Sequence, residues 1–208
     1  MCRVRDDDVV IAIFAKAPIE GFAKTRLIPR LGADGAAMLQ RRMIEQTVQT
    51  ALTAGTGPVS LWCTPDCEHE FFRQLAAAQP VTLYEQSGGD LGERMANAFD
   101  NVARSRAALL VGTDCVVLRP SHLIQCAEFL RGRTDAVFLP AEDGGYVLVG
   151  LRQPAPELFR DIAWTTDRVM HETRARVAYL GLSIAEPMTL WDIDRPEDYD
   201  RAVKLGMV

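Results

Sequence analysis

Five short apolar runs do most to restrict what this chain can fold into: VVIAIFA (Val9–Ala15), VSLWC (Val59–Cys63), VTLY (Val81–Tyr84), AALLV (Ala107–Val111) and AVFL (Ala136–Leu139). Several are apolar throughout instead of alternating, as a parallel strand reads when helices cover both its faces. Between the runs lie amphipathic segments. Leu91, Met95, Ala98, Phe99 and Val102 recur at helical spacing, as do Ile44, Val48, Ala51 and Leu52 in a first long helix that Gly55 is placed to end. Strand followed by helix, repeated, predicts a three-layer α/β/α sandwich around a mostly parallel sheet. No linker, repeat or low-complexity tract divides the 208 residues, so the expectation is one domain, 1–208.

Composition excludes several partners. The net charge is −5 with Lys and Arg scattered, which argues against nucleic acid or an anionic membrane surface. The longest apolar run, Val9–Ala15, is far too short to span a bilayer. The start, MCRVRDDDVV, lacks the apolar core of a signal peptide, so the expected location is the cytoplasm. Cys2, Cys63, Cys67, Cys115 and Cys126 are odd in number and read as free thiols, and no histidine completes a zinc set with Cys63 and Cys67. His69, His122 and His171 are isolated and read as structural or surface residues.

In an open α/β sheet, ligands bind at the carboxyl ends of the strands, so the segment after each run carries the functional information. The first is FAKAPIEGFAKTRL, Phe14 to Leu27. It looks half like a P-loop, but the strict pattern needs glycine where Pro18 and Ala23 stand, and Pro18 has no amide to offer a phosphate. Lys16, Lys24 and Arg26 nonetheless suit a polyphosphate; the other reading is a solvated basic loop. After the third run comes QSGGDLGERM, where Gly88, Gly89 and Gly92 allow close backbone approach to a ligand. Asp90 and Glu93 make a capping box, whereas Arg94 sits in a first turn whose dipole disfavours it, unless an anion binds there.

After the fourth run, GTDCVVLRP puts Asp114 where a metal-binding or catalytic carboxylate stands; it could equally cap a turn before a helix opened by Pro120. After the fifth, Asp143-Gly144-Gly145 reads as a hairpin turn that can also present a carboxylate and bare backbone. Near the end lies LWDIDRPEDYDRA. In an extended Trp191–Asp194, Asp192 and Asp194 share a side. With Pro196 at the first helical position, Arg195 is the N-cap and Asp194 is left over to bind something; the rival register makes Asp194 the cap. Two aspartates from such distant segments can share Mg2+ or Mn2+ with phosphate oxygens completing the shell.

Together FAKAPIEGFAKTRL, GGDLGERM, GTDC, DGGYVLVGL and DIDRPEDY resemble the DUF2064 group, also called selenodomain-associated transferase 1, of the glycosyltransferase-A-like (nucleotide-diphospho-sugar transferase) superfamily. The resemblance covers nearly the whole chain and is more distant to molybdenum-cofactor and phospholactate guanylyltransferases. It implies a metal-dependent transferase that takes a nucleoside triphosphate or nucleotide-sugar and passes a nucleotidyl or glycosyl group to a small-molecule acceptor. Lys24 and Arg26 would face the phosphates, with Lys16, Gly21 and Thr25 in the same loop, and Gly89, Asp90 and Arg94 would lie near the base. Asp114 matches the metal-binding aspartate, Asp194 is the second ligand with Asp192 nearby, and the metal is Mg2+ or Mn2+. Asp143, Gly144, Gly145 and Tyr146 would face the acceptor, Asp143 as its base, with Trp164, Thr165 and Thr166 closing over it. Two positions depart from the family pattern: Val116 stands where proline often follows the cysteine, and Arg195 replaces a threonine. An oligomer is compatible with the sequence. The alternative is a non-catalytic nucleotide-binding or scaffold protein on the same fold.

Overall fold

The computed structural model describes residues 7–102 and 106–208; Cys2 therefore lies outside the described residues. Strands and helices alternate: β1 (Val10–Lys16), α1 (Ile28–Ala54), β2 (Val59–Thr64), α2 (Glu70–Ala78), β3 (Val81–Glu85), α3 (Leu91–Val102), β4 (Ala108–Gly112) and α4 (Pro120–Arg131). They are followed by β5 (Ala136–Pro140), β6 (Tyr146–Leu151), α5 (Val169–Tyr179), β7 (Ile184–Ala185) and α6 (Pro196–Lys204). All five apolar runs are strands. The seven strands form one sheet in the order β3-β2-β1-β4-β6-β5-β7. Pairing is parallel except for β6, which runs antiparallel to β4 and β5. The turn at Asp143 does join two antiparallel strands, and its second arm, β6, is not among the five runs.

The three layers follow from the two faces of each apolar strand. From β1, Ile11, Ile13 and Ala15 point into a core shared with Ile44 and Val48 of α1, Phe72 of α2 and Leu123 of α4. Val10 and Ala12 point the other way, onto Met95, Ala98 and Phe99 of α3 and Met170 and Val177 of α5. A strand with a core on both sides has no polar face to show, which is why its sequence does not alternate. A third cluster joins Leu27, Leu39 and Met43 to Trp191, Ile193 and Ala202, docking α6 beside the start of α1.

The local signals hold in detail. Gly55 ends α1 in the left-handed conformation, φ 61°. Glu93 N donates to Asp90 Oδ1 at 2.8 Å, and the Glu93 carboxylate accepts from Gly89 N at 2.7 Å. Pro120 opens α4 and Pro196 opens α6. Cys63, Cys115 and Cys126 are buried free thiols and Cys67 is a half-buried one. Burial pushes the Cys115 and Cys126 thiols up to about 12, so neither is a thiolate near neutrality. His69 and His122 each accept a backbone N–H near the start of a helix, from Phe71 and Arg119. Among the described residues no helix is long and apolar enough to cross a membrane.

Candidate active site

The strand order turns at β1 and β4, neighbours whose chain connections leave in opposite directions across the sheet. Phe14 pairs with Gly112, so Lys16 and Asp114 leave the sheet at the same level. The loop after β1 then brings Lys24 back. Its backbone is left-handed, φ 48°, at the start of a single 3-10 turn, Thr25–Leu27. Lys24 Nζ lies 2.9 Å from Asp114 Oδ2 and also donates to the Ile193 carbonyl. The Lys24 side chain is only 6% exposed whereas that of Asp114 is 43% exposed, so the carboxylate keeps an open side.

The C-terminal segment reaches the same rim by backbone pairing. Leu190 N donates to Pro140 O, Glu142 N to Leu190 O, and Ile193 N to Asp114 O, at 2.9, 3.0 and 2.9 Å. Trp191 and Ile193 are consequently buried and Asp192 and Asp194 turn to the rim, the alternation expected of an extended stretch. Arg195 is the N-cap of α6. Its amide and that of Asp194 donate to the Asp198 carboxylate at 2.8 and 3.2 Å. The Asp194 carboxylate is thus no cap; it forms an ion pair with Arg26. Asp114 is no helix cap either, since Arg119 holds that place in α4.

Two clefts meet at Asp114 and Asp194. The first, about 410 Å³, is lined by Lys16, Lys24, Thr25 and Arg26, with Phe14, Gln40, Gln86 and Thr113 among the other walls. The second, about 780 Å³, is lined by Asp143, Gly145, Tyr146, Trp164, Thr165 and Asp192, together with Glu142 and Trp191. Arg26, Leu91, Asp114 and Asp194 belong to both. Leu91, the first residue of α3, is exposed there and lines the junction instead of the core its spacing suggested. A groove of about 520 Å³ between α1 and α2 holds neither the rim carboxylates nor the loop cations.

Asp192 is half-buried, and among the described residues it makes no hydrogen bond or ion pair. Burial, reinforced by Asp143, Asp114 and Asp194 and opposed by Lys24, raises its carboxyl to about 7. Asp114, Asp192 and Asp194 are hard oxygen donors of the kind Mg2+ or Mn2+ takes, with Asp114 and Asp194 now paired to Lys24 and Arg26. Among the described residues no three His, Cys, Asp or Glu side chains stand close enough to hold an ion unaided.

Some expected residues lie elsewhere. Gly21, Gly89, Asp90 and Arg94 line neither cleft. The Arg94 guanidinium turns back toward the carbonyls of Gly88 and Gly89 at 3.4 and 3.5 Å. The glycines of that segment have internal reasons too. A Cβ on Gly92 would stand 2.6 Å from Phe159 O and 2.7 Å from Trp164 Nε1, and Gly88 has φ 127°. Gly144 does not line the second cleft; at φ 94° it lets the backbone of Asp167 pass, where a Cβ would meet the Asp167 carbonyl oxygen at 2.1 Å. Gln40 was not foreseen. It is 3% exposed and donates to Lys16 O and Thr113 Oγ1 at 3.1 and 3.3 Å, and Thr113 Oγ1 donates to Asp114 Oδ1 at 3.3 Å. The available signal was its helical spacing from Ile44, Val48 and Ala51, which puts a glutamine on the core-facing stripe.

The family model for DUF2064, uncharacterized protein conserved in bacteria, matches residues 47–166. The chain belongs to this family. The matched part of this DUF2064 protein contains Asp114, Asp143 to Tyr146 and Trp164; Lys24, Asp192 and Asp194 come from outside it. Among solved structures it is similar to a candidate nucleotide-diphospho-sugar transferase from Desulfovibrio desulfuricans G20, with 29% identity, TM-score 0.80, and 90% of this chain and 82% of that one covered. It also resembles 4-diphosphocytidyl-2C-methyl-D-erythritol synthase from Anaerococcus prevotii DSM 20548, with 12% identity, TM-score 0.66 and 98% of both chains covered. A CMP:2-keto-3-deoxy-manno-octonic acid synthetase complexed with CTP gives 13% identity, TM-score 0.60, and 96% and 98% coverage. At these last two identities the likeness is one of fold. No curated protein matches the sequence.

Proposed function

We propose that this DUF2064 protein is a transferase that binds a nucleoside triphosphate or a nucleotide-sugar in the first cleft. It passes a nucleotidyl or glycosyl group to a small acceptor in the second. The observation that carries this reading is the junction itself: Asp114 and Asp194 stand between a cleft walled by Lys16, Lys24 and Arg26 and a cleft walled by Asp143 and Asp192. Likeness to a protein named as a candidate nucleotide-diphospho-sugar transferase supports it. So does the position of the junction at the carboxyl ends of β1 and β4.

Asp114, with Asp194 or Asp192, would hold Mg2+ or Mn2+, which supplies charge neutralisation for the diphosphate when bound. Lys24 and Arg26, released from their carboxylate partners, would then face phosphate oxygens, Arg26 by its planar fork and Lys24 as a point charge. In nucleotidyl transfer an acceptor oxygen bonds to the α-phosphorus and pyrophosphate leaves with the bonding pair. In glycosyl transfer the acceptor oxygen bonds to the anomeric carbon and a nucleoside diphosphate leaves. Either way the proton lost by the acceptor can go to the exposed Asp143 or to water, and Lys24 stabilises the departing phosphate.

A thermal-shift screen of nucleoside mono-, di- and triphosphates and nucleotide-sugars, with and without Mg2+ and Mn2+, tests the reading. A metal-dependent rise with triphosphates supports nucleotidyl transfer, and one confined to a nucleotide-sugar supports glycosyl transfer. No shift with any of them counts against the donor site. Binding without turnover across a broad acceptor panel would favour the non-catalytic alternative.

A further inference from the structure

The two clefts differ in charge, and the difference bears on the acceptor. The first is walled by three cations and two carboxylates. The second is walled by seven carboxylates and two guanidinium groups. Several of the seven are already answered: Asp114 by Lys24, Asp194 by Arg26, and Glu142 by Arg201 at 2.7 Å. Asp198 accepts the amides of Asp194 and Arg195. Asp192 belongs with the proposed metal site; outside it, Asp143 and Asp167 have no ion-pair partner among the described residues, and Arg195 is the one lining cation in the same position. A dianionic phosphate entering this cavity would meet more free carboxylate than free cation, and the lysines that could receive it face the other cleft. Three of the uncharged lining residues are aromatic. Trp191 lines the cavity, with the Arg201 guanidinium 4.2 Å from its ring centre on one side. Trp164 stands edge-on to Tyr146, with ring centres 6.4 Å apart. Indole and phenol surfaces receive the C–H face of a sugar ring, and carboxylates accept from its hydroxyls.

We infer that the acceptor is a polyhydroxylated compound without phosphate or carboxylate, held between the aromatic walls and the free carboxylates of the second cavity. This rests on the two-cleft transferase reading above and favours its glycosyl version, since an acceptor phosphate would be repelled. Asp143 and Asp167 are exposed at the cavity wall, where their carboxylate oxygens can accept from the hydroxyls of a bound polyol.

The test uses the full chain with Mg2+ and an equimolar mixture of ADP, CDP, GDP and UDP, and paired probes read by equilibrium binding: glucose and glucose 6-phosphate, glycerol and glycerol 3-phosphate, inositol and inositol 1-phosphate. The expected result is that at least one parent alcohol binds, and that it binds tenfold or more tightly than its phosphate ester. Asp167→Asn is expected to narrow that ratio at least threefold. An ester that binds as tightly as its parent, or tighter, overturns the inference, as does absence of binding by every parent in a protein that still binds nucleotide. Nucleotide binding is read in the same samples. Its loss, with the preference for the parent alcohol intact, overturns the donor reading and leaves the acceptor inference standing.

Discussion

Lys24 and Asp114 form the contact on which the candidate chemistry turns. Because Lys24 is almost fully covered and Asp114 is open on one side, the two members respond differently to removal. Asp114→Asn keeps an oxygen toward Lys24 and Thr113 but gives up the anion, so the fold should persist with a loss of about 2 kcal/mol or less. Metal-dependent nucleotide binding should fall tenfold or more. Chemical denaturation and the thermal-shift screen read the two effects separately, and unchanged nucleotide binding would sink the metal assignment. Gln40 makes a second residue-scale point. Its carboxamide ties the end of β1 to Thr113 and through it to Asp114. Gln40→Leu fills a similar volume without the donors, and should weaken nucleotide binding several-fold while costing about 1–3 kcal/mol of stability, the penalty for unpaired buried polar groups. A variant that loses stability without any change in nucleotide affinity would show that Gln40 only braces the core.

Elements are joined here by a few special positions that the periodic pattern does not announce. The turn between β5 and β6 presses Gly144 against Asp167, which fastens the segment walling the second cleft; Met170 N also donates to Gly144 O at 2.8 Å. Gly144→Ala should therefore cost more than about 2 kcal/mol, and it should blunt acceptor binding before it affects nucleotide binding. At the far end of the same hairpin, Asp135 holds three elements together. Its carboxylate accepts from Arg152 after β6 at 2.5 Å and from the Ser183 hydroxyl and amide before β7 at 2.7 and 3.0 Å. The Arg152 and Ser183 hydrogen bonds lower its carboxyl to about 2. A folded-state value below the unfolded one means stability present in full above about pH 4 and lost as pH falls toward 2. Because the side chain is 27% exposed, the contribution is put at about 1–2 kcal/mol. Denaturation midpoints between pH 6 and pH 2.5 should fall more steeply in the native chain than in Asp135→Asn, and equal slopes would refute the linkage.

For the molecule as a whole, charge is divided across one rim, cations toward one cleft and carboxylates toward the other, within a chain whose net charge of −5 shows no such order. Nucleotide affinity should fall several-fold between about 0.05 and 0.5 M salt because phosphate contacts are screened, whereas binding of an uncharged acceptor should barely change. A salt-independent nucleotide affinity would count against Lys16, Lys24 and Arg26 as phosphate contacts. The layered sheet could be read from Val9–Ala15 and its fellow runs, because covering both faces of a strand removes the polar half of its pattern. The helix starts at Pro120 and Pro196, the cap at Gly55 and the side shared by Asp192 and Asp194 were equally legible, each being set by a few neighbouring residues. The antiparallel course of β6 was not, because strand direction depends on which neighbour a strand pairs with. Nor could the sequence show that Arg94 turns back on its own loop, that Gly92 makes room for Trp164, or that Gln40 reaches Thr113. Local backbone preference acts over a few residues and leaves a record in the order of the chain. The meeting of Lys24 with Asp114, Arg26 with Asp194 and the two clefts between them comes from packing and strand register, and only the tertiary structure decides those.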